Sequence, residues 1–418
     1  MPGNKILYYR KKQGLTQQQL ALGICSISYL SKIENDKILP NSETMSLLFD
    51  RLEIKFDQAT EYGDHEDIID DWCRSVEMND EKKSNTLKSE LESRMKYVNN
   101  PYIQGYFHLV KWRYDMSQYN SNHIEISLRT VKSYYHVFNN KLKYLFYKFL
   151  CIYNYNNKRF MVALHNGKEA NHFRSKIGII DVELQYILAL SYSQLKSISL
   201  SIIYAQEALE NFQKDSNLFR MIDCLILLGI NFARVKEFEK AHYYYQRSLK
   251  LSEHTTKKSS VHATVYHNLG YLYSLKSDNK LAIKYYLKAI NKKKSLNLST
   301  QGTIYLLANE YYIIGSKENA IKWISTGLST NKDLNTSLIN LKILKYSINK
   351  HTKKLYEFLL NHALPFFKEK QDWVNISRCS ELLGDHYSAK AQYKAAASYY
   401  KLAYNSSQQL GKEGGAIT

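Results

Sequence analysis

Apolar residues recur at three- and four-residue spacing along most of this chain, and the clearest run is residues 263–289. It reads as two amphipathic helices, with the polar run Lys276-Ser-Asp-Asn-Lys280 as the turn between them. Gly270 and Ala282 stand where the two helices would cross, framed by the large residues Tyr266, Leu269, Tyr273 and Tyr286. The same phase returns upstream as Leu228-Gly229, Phe232, Ala241 and Tyr245, and downstream as Leu307-Ala308, Tyr311, Ala320 and Ile324. It returns once more as Leu383-Gly384, Tyr387, Ala396, Tyr400 and Ala403, with weaker copies at Leu188-Ala189 and Leu150-Cys151. Gly229 to Gly270 is 41 positions, Gly270 to Ala308 is 38 and Ala308 to Gly384 is 76, twice 38, which leaves room for one degenerate unit around residues 341–363. Only Pro2, Pro40, Pro101 and Pro365 are available to stop a helix, so the long middle of the chain is uninterrupted.

Paired helices in this phase resemble tetratricopeptide repeats, with periods longer than the usual ~34 residues. One such pair cannot bury its apolar face alone. The resemblance therefore implies an all-α protein with a right-handed solenoid over residues 101–410, curved around a concave inner face.

Residues 1–58 carry a different pattern, with short helices predicted over residues 4–12, 16–22 and 26–35 and two further pieces around residues 42–52. Thr16 and Gln19 have the spacing of a capping box, and Ser26 can cap the third helix. The string Gly14-Leu-Thr-Gln-Gln-Gln-Leu-Ala21, followed by Ser28-Tyr-Leu-Ser-Lys-Ile-Glu-Asn35 and Pro40, resembles the lambda-repressor-like, Xre-type helix-turn-helix domains. Its turn, which carries Ile24 and Cys25 and is one residue shorter than in most members, is similar to the PlcR-type subgroup. The resemblance implies a five-helix unit that binds double-stranded DNA with its third helix in the major groove, as a dimer on a two-fold-related operator. It places Ser26, Ile27, Ser28, Tyr29 and Lys32 toward base edges, and Gln17 and Lys37 on phosphates. Arg10 reads either as a DNA contact or, as in that family, as an internal salt bridge to Glu34. Ile27 has the alternative of packing on Ile24, and Cys25 aligns with a small buried core position.

The formal net charge of +19 changes this picture less than its sum suggests. Residues 1–58 hold eight basic and six acidic residues and residues 59–81 hold one and nine, so the excess lies in the repeats. It reflects either the Lys-, Asn-, Tyr- and Ile-rich usage of an AT-rich genome or a basic surface that attracts an acidic ligand. Residues 59–100 read as an acidic linker and a helix. The acidic run there is either a spacer held off DNA and docked on the basic repeats, or a solvated helix face with Ile68, Ile69 and Trp72 turned inward. Five scattered cysteines in no ligand spacing fit a reducing compartment. With no secretory leader pattern and no apolar run of about 18 residues, a soluble cytoplasmic protein without membrane contact is expected. Phosphate-loop, dinucleotide, zinc-protease and nucleophile-elbow motifs are missing from the sequence, so neither catalysis, cofactor nor metal is expected. Residues 411–418 read as a flexible tail.

Projecting the repeat phase lines the concave face with Glu183, Tyr186, Leu190 and Gln194, then Ile226, Ile230 and Arg234 with Asn231 beside them. The next units supply His267 and Tyr271 with Asn268 beside them, then Tyr305, Asn309 and Tyr312. An Asn side chain can bond both groups of a peptide unit, Tyr offers an apolar face with a polar tip, and Arg can hold a carboxylate. Asn268 also occupies a position where such repeats carry a structural Asn. The whole arrangement resembles the RRNPP group, its PlcR- and NprR-like members above all. That resemblance implies a homodimeric or higher-order transcription regulator controlled by a short signalling peptide, whose occupancy of the groove re-poses the DNA-reading units. Two competing readings remain. One is a Rap-like repeat protein that binds a phosphorelay response regulator, alone or in addition to DNA. The other is a phage or plasmid repressor whose repeats serve assembly only.

Overall fold

The structure, a computed structural model, describes residues 2–35, 37–38, 40–53, 63–78, 80–96, 98, 100–118, 121–179, 181–330 and 334–415. All regular elements among the described residues are helices. The first four, α1 (Pro2–Lys12), α2 (Gln17–Ala21), α3 (Ile27–Glu34) and α4 (Ser42–Arg51), close over Ile6, Leu20, Leu30, Ile33, Met45, Leu48, Phe49 and Leu52. The expected capping box is present: Thr16 Oγ1 accepts from the Gln19 amide at 3.2 Å, and Gln19 Oε1 accepts from the Thr16 amide at 2.7 Å. Ser26 Oγ accepts from the Tyr29 amide at 3.1 Å and starts α3, and Cys25 packs half-buried against the core. Where two helical pieces were expected, α4 is a single helix. Asn41 caps it at 2.9 Å, and the first left-handed residue after it is Glu53. The described residues thus hold four helices of the expected five, and residues 54–62 lie outside them.

Next come α5 (Gly63–Glu77), α6 (Glu81–Met95), α7 (Pro101–Ser117), α8 (Ser121–Ser133), α9 (Asn140–Asn156) and α10 (Phe160–Ile177). The acidic run is α5, which buries Ile69, Trp72, Cys73 and Val76 and stacks Trp72 on Phe107 at 5.6 Å. Its carboxylates meet cations of α9: Lys141 Nζ lies 2.8 Å from Asp70 Oδ2, and buried Lys148 Nζ lies 2.8 Å from Glu77 Oε1. An inward apolar face and docking on basic residues therefore coexist in one helix.

Contacts divide the chain into two units, residues Met1–Tyr153 with His165–Ile180, and residues Asn154–Leu164 with Asp181–Thr418. In the second unit the helices come in pairs: α11 (Val182–Gln194) with α12 (Ile198–Lys214), α13 (Leu218–Arg234) with α14 (Phe238–Ser252), and α15 (Lys258–Leu275) with α16 (Asn279–Ser295). Then follow α17 (Gln301–Ile313) with α18 (Lys317–Thr330), and α19 (Thr336–Ile348) with α20 (Thr352–Phe358) and α21 (Leu364–Glu369). The last pair is α22 (Trp373–Ala389) with α23 (Tyr393–Gly415). Each first helix from α11 to α19 also touches the next first helix, more closely than second helices touch each other, so the first helices form the inner layer of this stack. Residues 411–415 continue α23 rather than forming a tail, since no proline stops its hydrogen-bond ladder, and residues 416–418 lie outside the described residues.

The same turn closes every first helix. Lys196, Lys236, Ser277, Gly315, Lys350 and Ala391 have φ between 53° and 79°. The amide after each donates to the carbonyl of Tyr192, Phe232, Tyr273, Tyr311, Tyr346 or Tyr387, as in a Schellman motif. The spacings between these turn residues are 40, 41, 38, 35 and 41, so the 76-residue gap divides as 35 and 41 rather than into equal halves. In that irregular unit a π turn, Leu359–Ala363, joins α20 to α21. Pro365, in the first turn of α21, lacks the N–H that a regular ladder needs, and the wider turn absorbs the gap.

Two contacts fix how each pair crosses. Tyr192 stacks on Tyr204, Phe232 on Tyr244, Tyr273 on Tyr285 and Tyr387 on Tyr399, each at 5.4 Å. A Cβ added to Gly229, Gly270 or Gly384 would lie 2.4, 2.5 or 2.5 Å from the ring of Tyr245, Tyr286 or Tyr400. Glycine is what lets the ring lie on the backbone. In α17 and α18 the corresponding residues are Ala308 and Ile324, a larger residue opposite a smaller one.

Candidate functional site

The residues expected to read DNA lie on and beside α3. Ser26, Ile27, Ser28 and Lys32 are exposed, Ile27 to 47%, so Ile27 is not consumed by packing on Ile24. Tyr29 is half-buried against the core, which leaves only part of its ring for a base edge. Lys37 is exposed just beyond the helix. Arg10 is an internal partner rather than a DNA contact: its Nε and Nη2 lie 2.5 and 2.9 Å from the two oxygens of Glu34, both residues being buried. Gln17 departs from expectation. Its Nε2 donates to Glu34 Oε2 at 2.6 Å, so the donor expected on a phosphate is committed to the buried carboxylate. Arg51 is a contributor that pattern reading missed; its Nη1 donates to the carbonyls of Leu20 and Leu22 and braces the turn that leads into α3.

The second site is the inner layer of the repeat stack, and its expected residues divide into two groups. Gln194, Arg234, Tyr271 and Tyr312 are exposed; Tyr305, Asn309, Asn268 and His267 are half-buried. Tyr186 and Asn231 are not offered to a ligand. Tyr186 is 8% exposed beneath the Arg220 guanidinium at 5.7 Å, and burial pushes its hydroxyl well above the ordinary tyrosine range. Asn231 is fully buried, accepting from Ser193 Oγ at 2.8 Å and donating to Ser201 Oγ at 2.7 Å. Their partners lie on neighbouring helices, Arg220 of α13 for Tyr186 and Ser193 of α11 with Ser201 of α12 for Asn231. Those neighbours are about thirty to forty residues away, outside the pattern of one helix pair.

Several groups are preset by such cross-repeat bonds. Arg234 Nη1 donates to the backbone oxygen and Oγ of Ser193 at 2.7 and 2.8 Å, which aims its guanidinium. His267 Nδ1 lies 3.0 Å from Thr303 Oγ1; burial, then nearby Lys293, lowers this imidazole to about 4, so it is neutral near pH 7. Buried Glu310 accepts from Ser274 at 2.6 Å and from Asn279 at 2.7 Å. Sequence reading missed Arg378, whose Nη1 donates to the Tyr305 hydroxyl at 2.5 Å, and Arg220, 3.5 Å from Glu183 and 3.6 Å from Asp223. The signal was available: Arg378 stands thirteen positions before the turn residue Ala391, as Glu183 does before Lys196. The wall therefore offers aromatic faces, an amide and fixed guanidinium groups, the chemistry of an extended peptide rather than of a metal or a nucleotide. Among the described residues, no group of His, Cys, Asp and Glu could hold a metal ion, and no helix is long and apolar enough to cross a membrane.

Comparison with known proteins agrees with this division. Residues 6–58 match the helix-turn-helix family HTH_3, and residues 225–348 match DUF2225, described as an uncharacterized protein conserved in bacteria. The transcriptional activator NprA of Geobacillus stearothermophilus is 28% identical over 92% of this chain and 98% of its own length. Response regulator aspartate phosphatase E of Bacillus subtilis is 25% identical over 65% of this chain and 76% of its own. Among solved structures, the apo form of the quorum sensor NprR from B. thuringiensis superposes with a TM-score of 0.72 at 23% identity, covering 82% of this chain and 98% of that one. NprR in complex with its cognate peptide NprX gives 0.66 at 24% identity with the same coverage. At these identities the structures share the fold. Taken with the amino-terminal helix-turn-helix unit and the repeat stack, the sequence relatives show what the chain resembles: over nearly its whole length it is similar to a transcriptional activator, and over about two thirds of it to a response regulator aspartate phosphatase.

Proposed function

We propose that the chain is a cytoplasmic, peptide-regulated transcription factor that acts by binding rather than by catalysis. Two copies read a two-fold-related operator through the exposed face of α3, with Ser26, Ile27, Ser28 and Lys32 on base edges and Lys37 on the backbone. A short signalling peptide lies along the inner layer of the repeats, against Gln194, Arg234, His267, Asn268, Tyr271, Tyr305, Asn309 and Tyr312. Arg378 is added to that set. The observation that carries the reading is the coexistence, in one chain, of an exposed recognition helix and an inner wall of preset guanidinium and aromatic groups. It is supported by a relative named a transcriptional activator and by the NprR fold in complex with a peptide.

The test has two arms. Operator affinity should fall steeply with salt, and Lys32→Ala should lose sequence preference. Peptides cut from a small secreted precursor encoded beside the gene should raise the melting temperature, and Asn309→Ala should abolish that rise. Retained operator preference in Lys32→Ala, or no thermal shift with any such peptide, counts against the respective half.

The likeness to response regulator aspartate phosphatase E favours a second partner, a response regulator receiver domain bound in addition to DNA. Calorimetry of the full chain with phosphorylated and unphosphorylated receiver domains tests it; no heat with either rejects it.

A further inference from the structure

One cleft of the second unit opens beside Gln194, at the end of α11. It measures about 920 Å³ and is walled by Tyr155, Lys158 and Phe160, around the turn that joins α9 to α10, and by Phe366, Lys370 and Trp373, where α21 passes into α22. Its size is that of a small-ligand site, for which volumes of about 300–1,000 Å³ are usual. Four aromatic rings supply an apolar wall, with Tyr155 and Phe160 packed at 5.5 Å. The Tyr155 hydroxyl is engaged by Gln194, which also lines the cleft.

The charge of the wall has one sign to offer. Its carboxylate, Asp372, is committed to capping α22, accepting from the Asn375 amide at 3.2 Å and from Asn375 Nδ2 at 2.7 Å. Lys158 is exposed, held in its turn by a left-handed φ of 60°. Lys370 meets Glu369 at 3.3 Å, but both side chains are mostly exposed, and pairs of that kind contribute only about 0–1 kcal/mol. An arriving carboxylate can displace such a partner.

We propose that this cleft is a subsite for an apolar group bearing a free carboxylate, held by Lys158 and Lys370 and enclosed by Tyr155, Phe160, Phe366 and Trp373. That is the chemistry of a peptide's carboxy-terminal residue and of a free apolar carboxylic acid; only the first source rests on the peptide-regulated reading. The experiment is fluorine NMR of the full chain labelled with fluorotryptophan, the Trp373 resonance being identified by its loss in Trp373→Phe. Titrants are N-acetyl-Leu-Phe, its carboxy-terminal amide, hydrocinnamate and acetate. The acid should move the Trp373 resonance saturably and the amide should bind at least about tenfold more weakly. Lys158→Gln with Lys370→Gln should bring the acid down to the level of the amide. Tighter binding of the dipeptide than of hydrocinnamate assigns the site to a peptide end, and equal binding assigns it to a free acid. A Trp373 resonance that the acid leaves in place, acid and amide titrating alike, or acetate matching the acid overturns the proposal. The peptide-regulated reading is measured separately, by the thermal shift lost in Asn309→Ala, and survives any of those results.

Discussion

Arg10 and Glu34 meet end to end: Nε lies 2.5 Å from Oε1 and Nη2 2.9 Å from Oε2, while Nη1 donates to the Leu15 carbonyl at 2.8 Å. With Gln17 on the same carboxylate, α1, α2 and α3 converge on one buried group. Removing one partner leaves the other charge buried and alone, so Glu34→Gln should cost about 3–5 kcal/mol. Arg10→Met combined with Glu34→Leu should cost less than either single change, because no unpaired charge remains. Urea unfolding followed by amide exchange in α1 to α3 measures this; equal losses for the single and double variants would contradict it.

At the crossing of α15 and α16, Gly270→Ala puts a methyl 2.5 Å from the Tyr286 ring. Overpacking of that kind should cost about 1–3 kcal/mol. Adding Tyr286→Ile recreates the Ala308 and Ile324 combination of the neighbouring pair, and part of the loss should return. Thermal unfolding of the three variants gives the comparison, and a double variant less stable than both singles would refute volume exchange.

Asn231 and Asn309 separate structure from sensing. Asn231→Ala removes one bond from each of two buried serine hydroxyls, which keep Arg234 and the Ala189 carbonyl as partners, and should destabilise the array by about 1–2 kcal/mol with or without ligand. Asn309→Ala is expected to leave the ligand-free melting temperature nearly unchanged and to remove the peptide-induced rise. A destabilised Asn309→Ala with an intact peptide response would reverse the assignment.

His267 should impose a pH dependence. Its imidazole is lowered from 6.5 to about 4 by burial, with Lys293 adding to the effect, while Thr303 and the Tyr286 ring face it. The unfolded chain binds this proton more readily, so the contribution is fully present above pH 6.5 and is lost as pH falls toward 4. The loss across that window should reach at most about 3 kcal/mol. His267→Gln should flatten the acid limb of the stability curve by that amount, read from urea midpoints between pH 7 and pH 4; an unchanged limb would show that His267 does not contribute.

The repeat phase is legible in the sequence because a crossing imposes volumes: Gly270, Ala282 and Tyr286 announce one helix lying against another. The irregular unit hides because its crossing residues are Ile343 and Leu359, two mid-sized aliphatics with neither a glycine nor a ring to mark them. Its π turn also shifts the register within the second helix. Capping at Thr16 and Ser26 is legible for a local reason, since donor and acceptor lie three residues apart. Side chains that look across repeats are not. Tyr186, Asn231 and Gln17 owe their surroundings to helices distant in sequence, and a projection over four units stops short of Arg378.

Three of the recurrent turns place lysine, at positions 196, 236 and 350, in a left-handed backbone conformation that costs an L-residue about 1 kcal/mol more than it would cost glycine. Each of these bends therefore stores a little strain that its geometry does not require. Lys196→Gly, Lys236→Gly and Lys350→Gly would release it at the expense of a freer unfolded chain and leave the lining untouched, so the energy of the bends and recognition by the wall can be varied independently.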